Sequence, residues 1–277
     1  MPIWRIRYKM KKYQKIIKYC AIAFAIFLIY EIVFGLASLI SSITNIGDLN
    51  PNVEEVSTKS IPKNINKLDI DLAVTDLKIE RSKKLEISAN DNIKVSKKDK
   101  TLYIEEKSKK ILNRKKENNL TLYVPEGLTF EYIEIDTGAG KLEIEELNTK
   151  VLEFELGAGN IDINTLNVND TAKIDTGAGS FIIKQGTINN LDLDMGLGSI
   201  NITTKLLGNN SIDRGVGKIN LTLLGNPDDY KINIDKGLGT AKINNDKITN
   251  NQIIGEGDTE ININSGIGTI EINYKDN

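Results

Sequence analysis

Asp-Thr-Gly followed by a small residue is how many aspartic proteases present a catalytic carboxylate. IDTGAG occurs twice in this 277-residue chain, at Ile135–Gly140 and Ile174–Gly179. Two copies would supply the two carboxylates of such an enzyme, one holding a proton and one giving it up. Other carriers of chemistry are scarce. There is no histidine, which removes Ser-His-Asp, Cys-His and histidine–zinc mechanisms, since each needs an imidazole. The one cysteine, Cys20, can form neither an internal disulfide nor a thiolate cluster.

The elements that would hold the two motifs decide their meaning. From Leu68 onward apolar and polar residues alternate, as in LDIDL, LKIER and TLYIEE, and no stretch after Ile40 keeps a helical period. Gly-x-Gly pairs recur at Gly138/Gly140, Gly157/Gly159, Gly177/Gly179, Gly196/Gly198, Gly215/Gly217, Gly237/Gly239 and Gly266/Gly268. The first five are 19 or 20 residues apart; the next two steps are 22 and 29. Three residues before each pair stands an apolar residue, Ile135 and Phe154 being the first two. Two and four residues after each pair stand two more, such as Leu142 and Ile144. A period near 20 with strand alternation predicts an all-β fold, a parallel β-solenoid with Gly-x-Gly corners. Coils stacked at the ~4.8 Å strand spacing would share one apolar interior. The glycines would allow positive φ or close approach of neighbouring coils. Extra residues in the longer steps are expected in loops near 226–229 and 244–258.

On this reading IDTGAG is a coil corner. The other copies read ELGAG, DMGLG, DRGVG, DKGLG and NSGIG, so the acid and the glycines recur and the threonine does not. That argues against a protease. The same glycines make no nucleotide site, because no helix follows to turn its N-terminus toward a phosphate. The acids two residues before the first glycines, Asp136, Glu155, Asp175, Asp194, Asp213 and Asp235, would form a line with neighbours ~5 Å apart. Like charges at that distance repel by about 1 kcal/mol even in water. Two readings fit the column: carboxylates that cap backbone N–H groups of their turns, or a cation-binding ladder. No cofactor is indicated.

The N-terminal part is of another kind. Residues 1–18 carry seven basic side chains and no acid. Tyr19–Ile40 is apolar with a single charge, Glu31. At ~1.5 Å per residue a helix of this length crosses the ~30 Å hydrocarbon layer, and the basic tail would hold the N-terminus on the cytoplasmic side. The expectation is a single-pass membrane protein. It has a cytoplasmic tail at 1–18, an anchor at 19–40, a linker at 41–65 that includes a first strand, and an extracytoplasmic solenoid at 66–277. Glu31 would be a tolerated acid or a contact with a partner helix. The segment Lys97–Lys116 is strongly basic and reads as a solvated loop or a contact with an anionic envelope polymer or lipid. It has no aromatic stacking platform, which argues against nucleic acid.

The repeated D-x-G-x-G corners with I-x-I flanks, behind one apolar N-terminal segment, resemble the bacterial "putative adhesin" domains of unknown function. The resemblance covers about residues 60–277. It implies a non-enzymatic, membrane-anchored envelope protein whose solenoid is a rigid interaction surface. Some members accompany envelope-stress operons, which leaves an accessory sensor or regulator as the second reading. A polysaccharide-acting enzyme is the third, because some solenoids use carboxylates in that way.

Overall fold

The structure, a computed structural model, describes residues 57–62, 64–107 and 119–276. The odd-and-even alternation becomes strand throughout. The first seven strands are β1 (Ser57–Ser60), β2 (Lys67–Val74), β3 (Asp76–Ser82), β4 (Glu86–Ala89), β5 (Ile93–Lys98), β6 (Thr101–Glu106) and β7 (Asn119–Pro125). They are followed by β8 (Thr129–Asn189), β9 (Leu191–Leu207), β10 (Asn209–Leu224), β11 (Tyr230–Ile243), β12 (Asp246–Lys247), β13 (Gln252–Ile254) and β14 (Thr259–Lys275). The long β8 is a ribbon that winds through the first three glycine corners without a break. The fold is all-β and solenoid-like: β8, β9, β10, β14 and β11 lie side by side in parallel.

Register follows the repeat. Ile174 pairs with Leu193, Leu193 with Ile212 and Ile212 with Ile263. One interior apolar residue therefore stacks on the next along the whole stack. Among the described residues Tyr230, Phe130, Phe154 and Phe181 are the bulkiest fully buried side chains, and burying such a group contributes roughly 1.5–3 kcal/mol. A one-residue slip would turn this whole set outward.

Stack order differs from sequence order at both ends. Sequential stacking would put the Gly237 coil on the Gly215 coil. Instead β14, the last strand, enters between β10 and β11. The step from β10 to β11 thus crosses two strand spacings, roughly 10 Å. The extra residues that make this possible form a 3-10 turn at Pro227–Asp229, capped by Asn226, whose side chain accepts from the Asp228 N–H. The return runs through β12 and β13, which pair antiparallel with β11. At the other end β2 and β3 form a coil between β8 and the coil made by β6 and β7. Antiparallel β5, β4 and β1 then cover the outer strands. Such covers blunt sheet edges that would otherwise pair with other chains.

The expectation of a single-pass membrane protein is corrected. Among the described residues no helix is long and apolar enough to cross a membrane; they form strands, turns and one 3-10 turn. The segment 19–40 with Glu31, and the basic tail 1–18, lie outside the described residues.

Candidate interaction face at the glycine corners

Each corner begins where alternation stops. In the first, Ile135 points inward, Asp136 outward and Thr137 inward; Gly138 to Lys141 then stay outward before Leu142 returns to the core. Where a coil stacks on a preceding glycine corner, a side chain has no room at the bend. A Cβ on Gly177 would lie 2.2 Å from the Gly157 carbonyl oxygen. Gly179 adds a φ of +143° and would bring a Cβ within 1.6 Å of the Gly159 oxygen. The first glycine is therefore needed for close approach, and the second for approach and positive φ together.

The two glycines of a pair thus divide the two roles that the sequence left open, positive φ and close approach. Positive φ belongs to the second glycine alone: Gly140, Gly159, Gly179, Gly198, Gly217, Gly239 and Gly268 all have it, and none of the first glycines does. Nor do the pairs separate strands. Gly198 lies inside β9, Gly217 inside β10, Gly239 inside β11 and Gly268 inside β14. The ladder runs on through the bend, with Gly198 beside both Gly179 and Gly217, and Gly268 beside both Gly217 and Gly239. The physical reason is register: when every coil bends at the same place, the backbone groups of adjacent bends still face one another and no hydrogen bond need be given up.

The six acids stand in one line. Its order is Asp71, Asp136, Glu155, Asp175, Asp194, Asp213, Asn264, Asp235. Asp71 was missed in the sequence because its coil turns through Ala73 and Thr75, which occupy the places of the two glycines. The inserted β14 puts Asn264 between Asp213 and Asp235. Asn264 Nδ2 donates to Asp213 Oδ1 (2.5 Å), and Ser211 Oγ donates to the other oxygen (2.9 Å). Asn250 Nδ2 donates to Asp235 (3.0 Å), and Lys173 pairs with Asp175 at 3.1 Å. Among the described residues, the side chains of Asp136, Glu155 and Asp194 make neither a hydrogen bond nor an ion pair. From Asp136 to Asp235, the partners are side chains and not N–H groups of the corner.

A second charged column runs two residues earlier, and the sequence did not single it out. Asp69 stacks on Glu134, followed by Glu153, Lys173 and Asp192. The crowding shows in ionisation. Burial, and then Asp213, Asp175 and Asp192, push the Asp194 carboxyl above its ordinary value. Burial followed by Glu105 and Asp71 does the same to Asp69. Tyr132, whose hydroxyl donates to Glu134 (3.2 Å), is raised chiefly by burial and then by Glu153 and Glu134. Carboxylates in line do not converge, and among the described residues no three potential ligands are grouped to hold a metal.

An apolar column flanks the glycines on the other side. It reads Ala139, Ala158, Ala178, Leu197, Val216, Ile267, Leu238 in stack order. Val216, Ile267 and Leu238 are 41%, 47% and 73% exposed. Along the acid column lies an open trough of about 660 Å³, lined by Asp136, Glu155, Asp175 and Asp194 with Leu156 and Met195. Its floor is made by the first glycines from Gly138 to Gly215; Gly198, Gly217, Gly239 and Gly268 lie outside it, as do Gly237 and Gly266 in the last two coils of the stack. Inside the corner, Thr137, Leu156, Thr176, Met195, Arg214 and Ser265 form the facing row, all buried. Thr137 lines the trough, and its Oγ1 is buried without a hydrogen-bond partner.

One functional-looking residue had no sequence signal. Glu106 is 5% exposed, and its Oε2 accepts from the backbone N–H of Ala73 (2.7 Å) and Val74 (3.1 Å). It closes the corner row at the β2–β3 coil, whose outer neighbour continues from Glu106 into residues outside the description. Of the basic segment, Lys97 donates to Asn64 Oδ1 (2.6 Å), and residues 108–118 are not described.

The family model described as Toastrack DUF4097 matches residues 65–237 and, overlapping, 115–273. No curated protein matches the chain. Three solved structures are similar. A "putative cell adhesion protein" from Clostridium sporogenes is 21% identical, over 80% of this chain and 99% of that one, with a TM-score of 0.34. A "putative adhesin" from Bacteroides fragilis is 13% identical, over 81% and 100%, at 0.33. A "putative lipid binding protein" from Parabacteroides distasonis is 13% identical, over 82% and 99%, at 0.36.

Proposed function

We propose, from the premise that this chain belongs to the Toastrack DUF4097 family, that it is a non-enzymatic interaction protein whose glycine-corner face recognises an extended partner. The observation that supports this reading most is repetition. A catalytic centre is one constellation that occurs once. Here the same corner recurs in seven coils, with a carboxylate on one side in six of them and a small or apolar side chain between the glycines in all seven. A surface periodic along one axis suits a partner that is itself periodic or extended. The names of the similar structures, adhesins among them, agree with a surface role but concern those proteins.

The test is co-sedimentation of the full-length chain with insoluble bacterial cell-wall material. Charge reversal on the corner face, Asp136→Lys with Asp194→Lys, should release the protein into the supernatant. Reversal away from that column, Lys242→Glu, should not. Equal sedimentation of all three proteins would refute the corner face as the interaction surface.

A further inference from the structure

β14 fills a slot whose walls both come from earlier in the chain. On one side it pairs in parallel with β10, from Asn209 to Leu224, and on the other with β11, from Tyr230 to Ile243. Its Ile261, Ile263, Ile270 and Ile272 are at most 1% exposed. The link between the two walls closes on itself: Tyr230 Oη donates to the Leu224 carbonyl (2.7 Å) and the Asp229 N–H to the Asn226 carbonyl (3.0 Å). A turn outside β14 thus holds the walls two strand spacings apart, roughly 10 Å.

The segment that delivers β14 to the slot is strained. β11 has 14 residues, and the 15 residues from 244 to 258 must run back beside it to reach the start of β14. They are tied down lightly, since β12 and β13 pair with β11 over two and three residues and Ile253 of β13 is 61% exposed. To make the return, Asn244, Asn245 and Asn251 adopt φ of +48°, +71° and +56°. They are three of the five non-glycine residues with positive φ among the described residues. Asparagine enters that region more readily than most residues, at a cost that glycine does not bear. An extended link would need none of these turns.

We propose that β14 is exchanged between copies: the slot between β10 and β11 also receives β14 of a second copy of this chain, and each copy fills the other's slot. The donor strand is chemically identical, so its contacts with both walls are kept, and only the hinge changes, from a turned ribbon to an extended link. The slot is selective for this segment. Gly268 lies beside both Gly217 and Gly239, and the slot's acids, Asp213 and Asp235, both face Asn264. Any other Gly-x-Gly corner of a second copy would put an acid there, between two like charges about one strand spacing away. Exchange depends on concentration, because the closed monomer has its own β14 always at hand.

The test mixes two full-length chains, both with Cys20→Ser. One has Ser211→Cys and the other Asn262→Cys. Positions 211 and 262 are partners in the β10–β14 register, at the ~4.8 Å spacing that a disulfide bridges. In closed monomers the two thiols are on separate molecules. They meet only where β14 of one chain lies in the slot of the other, so association through any other part of the chain does not score. The mixture is warmed close to its melting temperature at high protein concentration, cooled, oxidised and run on a non-reducing gel. Disulfide-linked heterodimer is expected well above the level at which either chain links to itself. Asn245→Val with Asn251→Val penalises only the turned hinge and should raise a low heterodimer yield roughly tenfold; Asn245→Gly with Asn251→Gly relieves the hinge and should lower it. Heterodimer no more abundant than the self-linked species would overturn the proposal, and so would a yield that is the same in both hinge variants.

Discussion

Arg214 should destabilise the protein that contains it. It is 3% exposed in the row of inward corner residues, where the preceding coils have Leu156, Thr176 and Met195. One terminal nitrogen, Nη2, donates to Ser265 Oγ (2.6 Å) and, at 3.4 Å, to the Ile267 carbonyl. Nε and Nη1 are buried without partners, and among the described residues no carboxylate pairs with the group; burial alone pushes it below its ordinary value. Taking an ion out of water without a counter-charge costs several kcal/mol, and replacing buried ionic groups by apolar ones of similar volume is often stabilising by about 1–4 kcal/mol. Against that, Arg214→Met removes a charged hydrogen bond and leaves the Ser265 hydroxyl unpaired, which costs about 1–3 kcal/mol. Pairing Arg214→Met with Ser265→Ala removes the orphan. Met195 shows that methionine is accommodated one coil away. We expect the double variant to gain about 2 kcal/mol, which for a domain of this size is roughly 4–8 °C in melting temperature. Differential scanning calorimetry of the full-length protein reads it directly. A fall of more than about 2 °C would refute the reasoning, because it would mean that Arg214 has a partner the fold depends on.

Three further outcomes are expected. Gly179→Ala should lower the melting temperature far more than Asp175→Asn. The first puts a Cβ 1.6 Å from the Gly159 oxygen at φ +143°, adding strain of about 1–3 kcal/mol before any clash; the second loses only an exposed Lys173 pair, of little weight. Glu106→Ala should cost roughly 2–4 kcal/mol in chemical denaturation, since it strands the Ala73 and Val74 N–H groups. Asp194 has its folded value raised, so its contribution is fully present below the unfolded value and lost as pH rises through the folded one. Asp194→Asn should therefore melt above wild type at neutral pH and level with it in acid, as a pH series of thermal melts would show.

Much of the fold was legible because a two-residue period and a 19-residue period cannot both arise by chance in one segment. Ile135, Ile174 and Ile212 told which face was inward before any coordinate did, and the same alternation marks residue 214 as inward despite its charge. Three features were hidden, for separate reasons. The β2–β3 coil turns through Ala73 and Thr75, so a search keyed on paired glycines passes over it and over Asp71. Glu106 reaches the corner from an adjacent coil, a contact between residues 32 and 33 positions apart that no local pattern announces. The second charged column, Asp69, Glu134, Glu153 and Asp192, looks in sequence like ordinary solvent-facing alternation. Only stacking makes it a surface.

Stack order was the least legible feature, yet the residues contain a reason for it. In a sequential stack the first and last coils would be outermost, each held by a neighbour on one side only. In this protein the first coil, β2–β3, and the last, β14, are both sandwiched between neighbours. The outermost coils belong to mid-chain segments, β6–β7 and β11, tethered at both ends. Opening one of them releases a closed loop and not a free tail, which limits the entropy gained. Electrostatics favours the same arrangement. Without β14 in place, Asp213 would neighbour Asp235 at one strand spacing, a repulsion of about 1 kcal/mol even in water. With it, the neutral Asn264 separates the two charges and donates a hydrogen bond to Asp213. The Gly-x-Gly corner without an acid thus separates Asp213 from Asp235, whose coils follow one another in sequence.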